Sequence, residues 1–347
     1  MADAIAEATR PTPGKLAAIG SGSWGTAVTR LVSPHAEAVT VWSHDAEVAA
    51  SINACHRNPH QIPFFEVPEN VVATTDMRDA VGGAEALLIA VPSAYLRDTL
   101  HELARAMSGP CPVLVLTKGI EAGTGRLMTE VAEEELGHEC QVAVLSGPNH
   151  AEEVAAGKIS AAVIAAADLT VAEYFQRLVE CREFRVYVTR DVAGVECCAA
   201  AKNVVAIACG IAWAAGAGDN TLAALMTRGL AEIGRITAAL GGDPITCMGL
   251  AGMGDLVATC TSRHSRNRTF GEAFVAGESL AAYERRTGMV VEGARAAASI
   301  REVADARGIE VPITRAVHAV LFEGMPLAKA MDGLLGRISF DEFYDVR

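Results

Sequence analysis

The sequence predicts an α/β protein in two parts: a mostly parallel sheet wound with helices, followed by an all-helical part. Three observations predict this. Short apolar runs of strand length alternate with helical spacing through residues 15–189. After Asp191 the strand signals largely vanish, and helical patterns run over roughly 193–215, 221–241, 290–307 and 313–323. The chain has 347 residues, 51% of them hydrophobic, which is enough for more than one compact unit. The expected boundaries are a mobile tail at 1–14, a sheet-bearing domain at 15–192 and a helical domain at 193–347.

Residues 15–25, KLAAIGSGSWG, carry an apolar strand into Gly20-x-Gly22-x-x-Gly25, and AVTRLV continues at helical spacing. The next apolar strand, AVTVW (38–42), comes one helix later. That context suits a dinucleotide fingerprint and makes the first domain Rossmann-like. The glycines let the backbone approach a pyrophosphate, and the helix N-terminus stabilises its charge. A tight strand–helix turn with no ligand is the plainer reading of the same glycines. Past the second strand, 23 residues from Gly20, stands Ser43-His44-Asp45. A carboxylate about 20 positions on would bond a ribose hydroxyl and repel a 2′-phosphate. A hydroxyl followed by the imidazole of His44 does not repel it. Asp45 weighs against NADPH unless it caps the next helix. NADPH is therefore favoured, with NADH left open.

HRNPHQIPFFEVPEN (56–70), with three prolines, reads as a connecting loop. The strands ALLIAV (86–91), PVLVLT (112–117) and QVAVLS (141–146) each end in a polar or Gly/Pro-bearing tip. AAVIAA (161–166) and FRVYVT (184–189) complete the sheet. Continuous apolar strands between helices indicate a buried, mainly parallel sheet. Ligands of such sheets sit outside the carboxyl ends of the strands, so Lys118, at one tip, reads as a ligand contact rather than a stray surface lysine.

In the second half, residues 197–218 read CCAAAKNVVAIACGIAWAAGAG, in which only Lys202 and Asn203 are polar. About 20 apolar residues can span a bilayer. This segment is rich in Ala and Gly, lacks aromatic belts, and carries a central lysine that costs about 2.5–3.5 kcal/mol to insert. It reads as a buried helix, not a membrane span. Lys202 itself has two readings. Burial weakens an ammonium's hold on its proton, which suits a donor to a developing alkoxide. Alternatively, it snorkels to the surface or is neutralised by a carboxylate such as Glu196.

Within GLAGMGDLVATCTSRHSRNRTFG (249–271) a glycine-rich loop carries Asp255, with Arg263, His264, Arg266 and Arg268 close behind. In a chain of net charge −13 the basic cluster stands out. It fits a phosphate pocket, with Ser265 and Asn267 as added donors, more readily than a solvated basic loop. No long basic run exists, so nucleic acid is not an expected partner. The nine cysteines form no C-x-x-C pair, and no metal site is expected. The odd cysteine count and the absence of a secretory signal in MADAIAEATRPTPG suggest reduced thiols in the cytoplasm.

Taken together, IGSGSWGTA, AVPS, TKGIE, LSGPNHAEEV, AAAKNVVAIA, GDNTLAALMTRGLAE, GLAGMGDLVATCTSRHSRN and VVEG resemble the bacterial-type NAD(P)-dependent glycerol-3-phosphate dehydrogenases. They run in family order from about residue 15 to 335. The resemblance implies reversible reduction of dihydroxyacetone phosphate by NADH or NADPH to sn-glycerol 3-phosphate, supplying glycerophospholipid synthesis, in a homodimer. It implies Lys202 as catalytic acid/base and Lys118 as shared between coenzyme and substrate. Gly147, Asp255, Ser265, Arg266 and Asn267 match substrate positions, with Arg266 also reaching coenzyme. Thr259 and Asn203 fall where related enzymes hold substrate. Ser23, Trp24, Ala151, Val290 and Glu292 match coenzyme contacts, beside Gly20, Gly22, Gly25 and His44 of the first unit. Two positions depart from the pattern. Asn149 replaces a usual Ser or Thr, although its amide can still donate to substrate, and Ser43-His44-Asp45 replaces a more basic stretch. The rival readings are a hydroxyacid dehydrogenase of similar layout and a non-catalytic dinucleotide-binding sensor.

Overall fold

The computed structural model describes residues 13–335. Most of the expected tail at 1–14 lies outside the described residues. Eight strands form one sheet: β1 (Lys15–Ile19), β2 (Ala38–Trp42), β3 (Val71–Thr74), β4 (Ala86–Ile89), β5 (Val113–Val115), β6 (Val142–Ser146), β7 (Ser160–Ala165) and β8 (Phe184–Thr189). Their spatial order is β3-β2-β1-β4-β5-β6-β7-β8. Every neighbouring pair is parallel except β6–β7. The strand order reverses between β1 and β4, and such a switch point opens a crevice at the strand ends. Gly20 closes β1 on one side of that crevice, and Val91-Pro92 follow β4 on the other.

Seven helices wind this sheet: α1 (Ser23–Val32), α2 (Ala46–Cys55), α3 (Met77–Val81), α4 (Leu96–Ala106), α5 (Met128–Leu136), α6 (Ala151–Ala155) and α7 (Leu169–Val179). The alternation of side chains along each strand feeds two cores. Leu16 and Ala18 join the core under α1, α2, α6 and α7, while Ala17 and Ile19 join the core under α3, α4 and α5. Leu16, Ala17, Ala18 and Ile19 are all fully buried, as a doubly covered parallel sheet requires.

The rest is helical: α8 (Val192–Ala214), α9 (Asp219–Ala239), α10 (Asp255–Thr261), α11 (Arg266–Val275), α12 (Leu280–Thr287), α13 (Glu292–Arg307), α14 (Pro312–Phe322) and α15 (Leu327–Leu335). Helix α8 is the hub. It is long and apolar enough to cross a membrane, yet 72% of its most apolar window is buried inside the protein. Helices α9, α10, α11 and α13 pack round it. Its small residues let neighbours come close: a Cβ on Gly210 would lie 2.0 Å from the Arg268 carbonyl oxygen. Asp191 starts α8 by accepting from Gly194 N, and it also accepts from Thr246 Oγ1 at 2.5 Å.

Three sequence expectations change. The four-residue β3 was hidden behind the proline-rich loop. The glycine-rich stretch that was to carry Asp255 is not a loop: a wide π-type turn at Leu250–Gly254 leads into α10, which Asp255 opens, and α11 begins at Arg266. Helix α9 starts at Asp219 with Gly218 as its N-cap, two residues before the expected start at 221.

Candidate active site

A cleft of about 780 Å³ runs from the β1–β4 switch point to the starts of α10 and α11. At one end lies the glycine turn. Gly20 has φ +112°, which favours glycine, and a Cβ there would meet the Ala90 carbonyl oxygen at 2.6 Å. A Cβ on Gly25 would strike the Gly20 carbonyl oxygen at 2.0 Å, so Gly25 shapes the turn without lining the cleft. Gly22 has open space where a Cβ would be, and as N-cap of α1 it offers no side-chain acceptor. The free N–H groups of α1 therefore face a cradle, and these residues fit a dinucleotide pyrophosphate.

The proline-rich segment forms a wall of this end, which the sequence reading missed. Asn58 is fully buried. Its amide donates to Ser21 O at 2.7 Å and Thr26 Oγ1 at 2.9 Å, and its Oδ1 accepts from the backbone of His60 and Gln61. Pro59, His60 and Gln61 thereby join the lining, and Ser23 Oγ donates to Gln61 Oε1 at 2.6 Å. The available signal was an Asn-Pro pair in a stretch stiffened by three prolines. At the end of β2, His44 lines the cleft. Asp45 caps α2, accepting from Glu47 N and Val48 N, and lies 3.7 Å from His60 Nε2. Trp24, Ala151 and Val290 are also on the walls.

In the middle stands the lysine of α8. Lys202 is only 4% exposed, so it does not snorkel. Its Nζ lies 3.0 Å from Asp255 Oδ1 and donates to Thr259 Oγ1 at 2.8 Å. Thr259, one turn along α10, donates its own hydroxyl hydrogen bond to Asp255 Oδ1 at 3.2 Å. The other Asp255 oxygen takes Lys118 Nζ at 2.8 Å. Lys118 also donates to Asn149 Oδ1 at 3.1 Å and Gly147 O at 3.4 Å. Gly147 has φ +146° and supplies this carbonyl without lining the cleft. Glu196, the counter-ion weighed for Lys202, is elsewhere: it accepts from Thr129 N and Oγ1 at the start of α5, and burial pushes its carboxyl up to about 7.

These contacts set the protonation states. Burial lowers Lys202 to about 8, against the pull of Asp255 and with help from Lys118. Burial raises Asp255, but the two ammonium groups outweigh it and hold the carboxyl below its ordinary range. His150, behind this group, is lowered by burial and then by Lys202.

At the far end the basic cluster divides. Ser265 caps α11, and Arg266 opens it on the cleft beside His264. Arg268 turns away, donating to Thr261 O and pairing with Glu272. Asn267 donates to Asn203 Oδ1 at 2.9 Å and accepts from Gly293 N, which ties α8, α11 and α13 together. Glu292 starts α13 and completes the wall.

Residues 15–172 match the family model for the N-terminus of NAD-dependent glycerol-3-phosphate dehydrogenase, and residues 191–332 match that for its C-terminus. The chain belongs to this family. A relative from Nocardia farcinica named glycerol-3-phosphate dehydrogenase [NAD(P)+] is 45% identical, over 93% of this chain and 98% of its own. One of the same name from Thermobifida fusca is 44% identical, over 96% and 99%. The crystal structure of glycerol-3-phosphate dehydrogenase from Coxiella burnetii superposes with a TM-score of 0.90 at 35% identity, covering 94% of this chain and all of that one.

Within this glycerol-3-phosphate dehydrogenase framework, the site residues expected from sequence line the cleft except Gly25, Gly147 and, of the basic cluster, Arg263 and Arg268. The sequence reading missed Ser21, His60, Gln61, His150 and the stretch from Arg286 to Met289. Arg286 is held by Glu278. Asn149 keeps contact with Lys118 despite departing from the usual hydroxyl. A lysine only donates, which fixes Oδ1 toward Lys118 and leaves Nδ2 buried without a partner.

Proposed function

We propose that the chain catalyses reversible NAD(P)H-dependent reduction of dihydroxyacetone phosphate to sn-glycerol 3-phosphate, the product feeding glycerophospholipid synthesis. The observation that carries this reading is the ion-paired group Lys202–Asp255–Lys118, in one cleft with both the α1 cradle and Arg266. Residues 15–192 act as the coenzyme-binding domain and 193–347 as the substrate and catalytic domain.

NADH or NADPH supplies the hydride. Gly20, Gly22, Ser23 and Trp24 bind one end of the coenzyme, and Ala151, Val290 and Glu292 bind along the cleft. His44 faces the ribose and favours a 2′-phosphate. Arg266, with Ser265 and Asn267, holds the substrate phosphate through charge-assisted hydrogen bonds. Lys118 and Asn149 hold the hydroxyl and carbonyl end, beside Asn203, and the Gly147 carbonyl steadies Lys118. Lys202 gives its proton to the oxygen that becomes an alkoxide, and takes it back in the reverse direction. Asp255 keeps both ammonium groups in place at low dielectric, and Thr259 fixes the direction of the Lys202 proton. The enzyme works as a cytoplasmic homodimer.

The test is NADPH oxidation followed by absorbance, with and without dihydroxyacetone phosphate. Turnover that depends on the phosphorylated ketone is expected. Coenzyme binding without turnover would overturn the reading in favour of a sensor, and turnover only with ketoacids in favour of a hydroxyacid dehydrogenase.

A further inference from the structure

Ser93 follows β4 and Pro92 at the tip of the sheet. Its backbone N–H donates to Glu292 Oε1 at 3.1 Å, and its hydroxyl donates to Glu292 Oε2 at 2.5 Å. One residue thus grips both oxygens of a carboxylate 199 positions away, joining the sheet to the start of α13. Nothing local demands this. A carboxylate in a first helical turn ordinarily faces the free N–H groups of its own helix. The neighbouring tip is shaped for the pair as well: a Cβ on Gly119 would lie 2.7 Å from Ser93 Cβ, so only glycine leaves Ser93 in place. Ser93 itself does not line the cleft, whereas Glu292 does.

A carboxylate accepts in about four directions, and Ser93 fills two of them. Those remaining accept only, so they suit a donor on the coenzyme such as a ribose hydroxyl or the carboxamide NH₂. Burial raises Glu292, while the two Ser93 bonds, and then Arg266 and Arg295, favour its charged, accepting form.

We infer that Ser93 is a positioning residue of the coenzyme site, whose two hydrogen bonds hold the Glu292 carboxylate aligned on the cleft wall. This rests on the reading of Glu292 as a coenzyme contact. Ser93 acts through Glu292 and touches neither coenzyme nor substrate.

The test titrates NADPH by its fluorescence, without substrate, against the unsubstituted protein, Ser93→Ala, Glu292→Gln and the double variant, each checked for folding by thermal melting. Ser93→Ala is expected to raise the coenzyme Kd about tenfold, the scale of a lost hydrogen bond to a charged group. At saturating coenzyme its kcat stays within about twofold, because the lost interaction is uniform binding. In the Glu292→Gln background the same substitution adds no further loss. Ser93→Cys, isosteric and a weak donor, shifts Kd in the same direction and serves should the alanine variant not fold. An unchanged Kd, or the same loss in both backgrounds, overturns the role of Ser93. Absence of NADPH binding by the unsubstituted protein would instead overturn the coenzyme reading itself.

Discussion

Lys202 Nζ and Asp255 Oδ1 stand 3.0 Å apart in a setting where both side chains are almost wholly buried. Asp255 is shared, because its second oxygen holds Lys118. Two cations on one carboxylate leave the group with net positive charge, in the place where an alkoxide would form.

Lys202 at about 8 sets the pH dependence with a definite sign. Ketone reduction needs the ammonium, so its rate should be level below about pH 8 and fall above it. Alcohol oxidation needs the free amine, so its rate should rise toward the same point. Lys202→Ala should lower kcat by about 10²–10⁴-fold with coenzyme binding little changed. Initial rates in both directions across pH, and coenzyme titration of the variant, check this. A folded variant of full activity removes Lys202 from the mechanism.

Asp255→Asn leaves two ammonium groups facing a neutral amide. Breaking a buried ion pair by removing one partner costs about 3–5 kcal/mol, and the partial exposure of Lys118 puts this case at the lower end. Asp255 raises Lys202, so its removal should also move the fall in reduction rate to lower pH. Urea unfolding measures the first effect and pH–rate profiles the second. An unmoved profile would mean that Asp255 does not tune Lys202.

Arg266→Ala should cost about 1.5–3 kcal/mol in kcat/KM for the phosphorylated ketone, the scale of one hydrogen bond to a charged group. The loss should shrink with unphosphorylated dihydroxyacetone. Steady-state kinetics on both ketones decide the point, and equal losses would place Arg266 on the coenzyme alone.

NADPH should be used at least as well as NADH. His44 and Asp45 both line the cleft, but Asp45 spends one oxygen on the start of α2. An imidazole N–H can donate to a 2′-phosphate. A comparison of kcat/KM for the two coenzymes tests it. Strong NADH preference would mean that Asp45 governs the ribose end.

Much of this protein could be read in its sequence. The Gly20–Gly25 turn follows from sterics within six residues, and the strand and helix runs follow from periods set by the backbone itself. Lys202 announced itself as the one charge in the apolar stretch 197–218. The sequence did not tell which residue would neutralise it. Glu196 was the near candidate, six residues earlier on the same helix, yet its face of α8 turns to Thr129.

What the sequence by itself determined was therefore local: the glycine turn, the order of strands and helices, and the residue types gathered for a phosphate and a proton. Tertiary structure alone decided who meets whom. Asp255 reaches Lys118 across 137 positions and Ser93 reaches Glu292 across 199. Arg266 faces the cleft while Arg268, two residues on, turns out, because consecutive side chains on a helix point in different directions. Asn58 pins a loop that composition alone left as a connector. Such pairings depend on how packed helices orient their faces, and no period along the chain encodes that orientation.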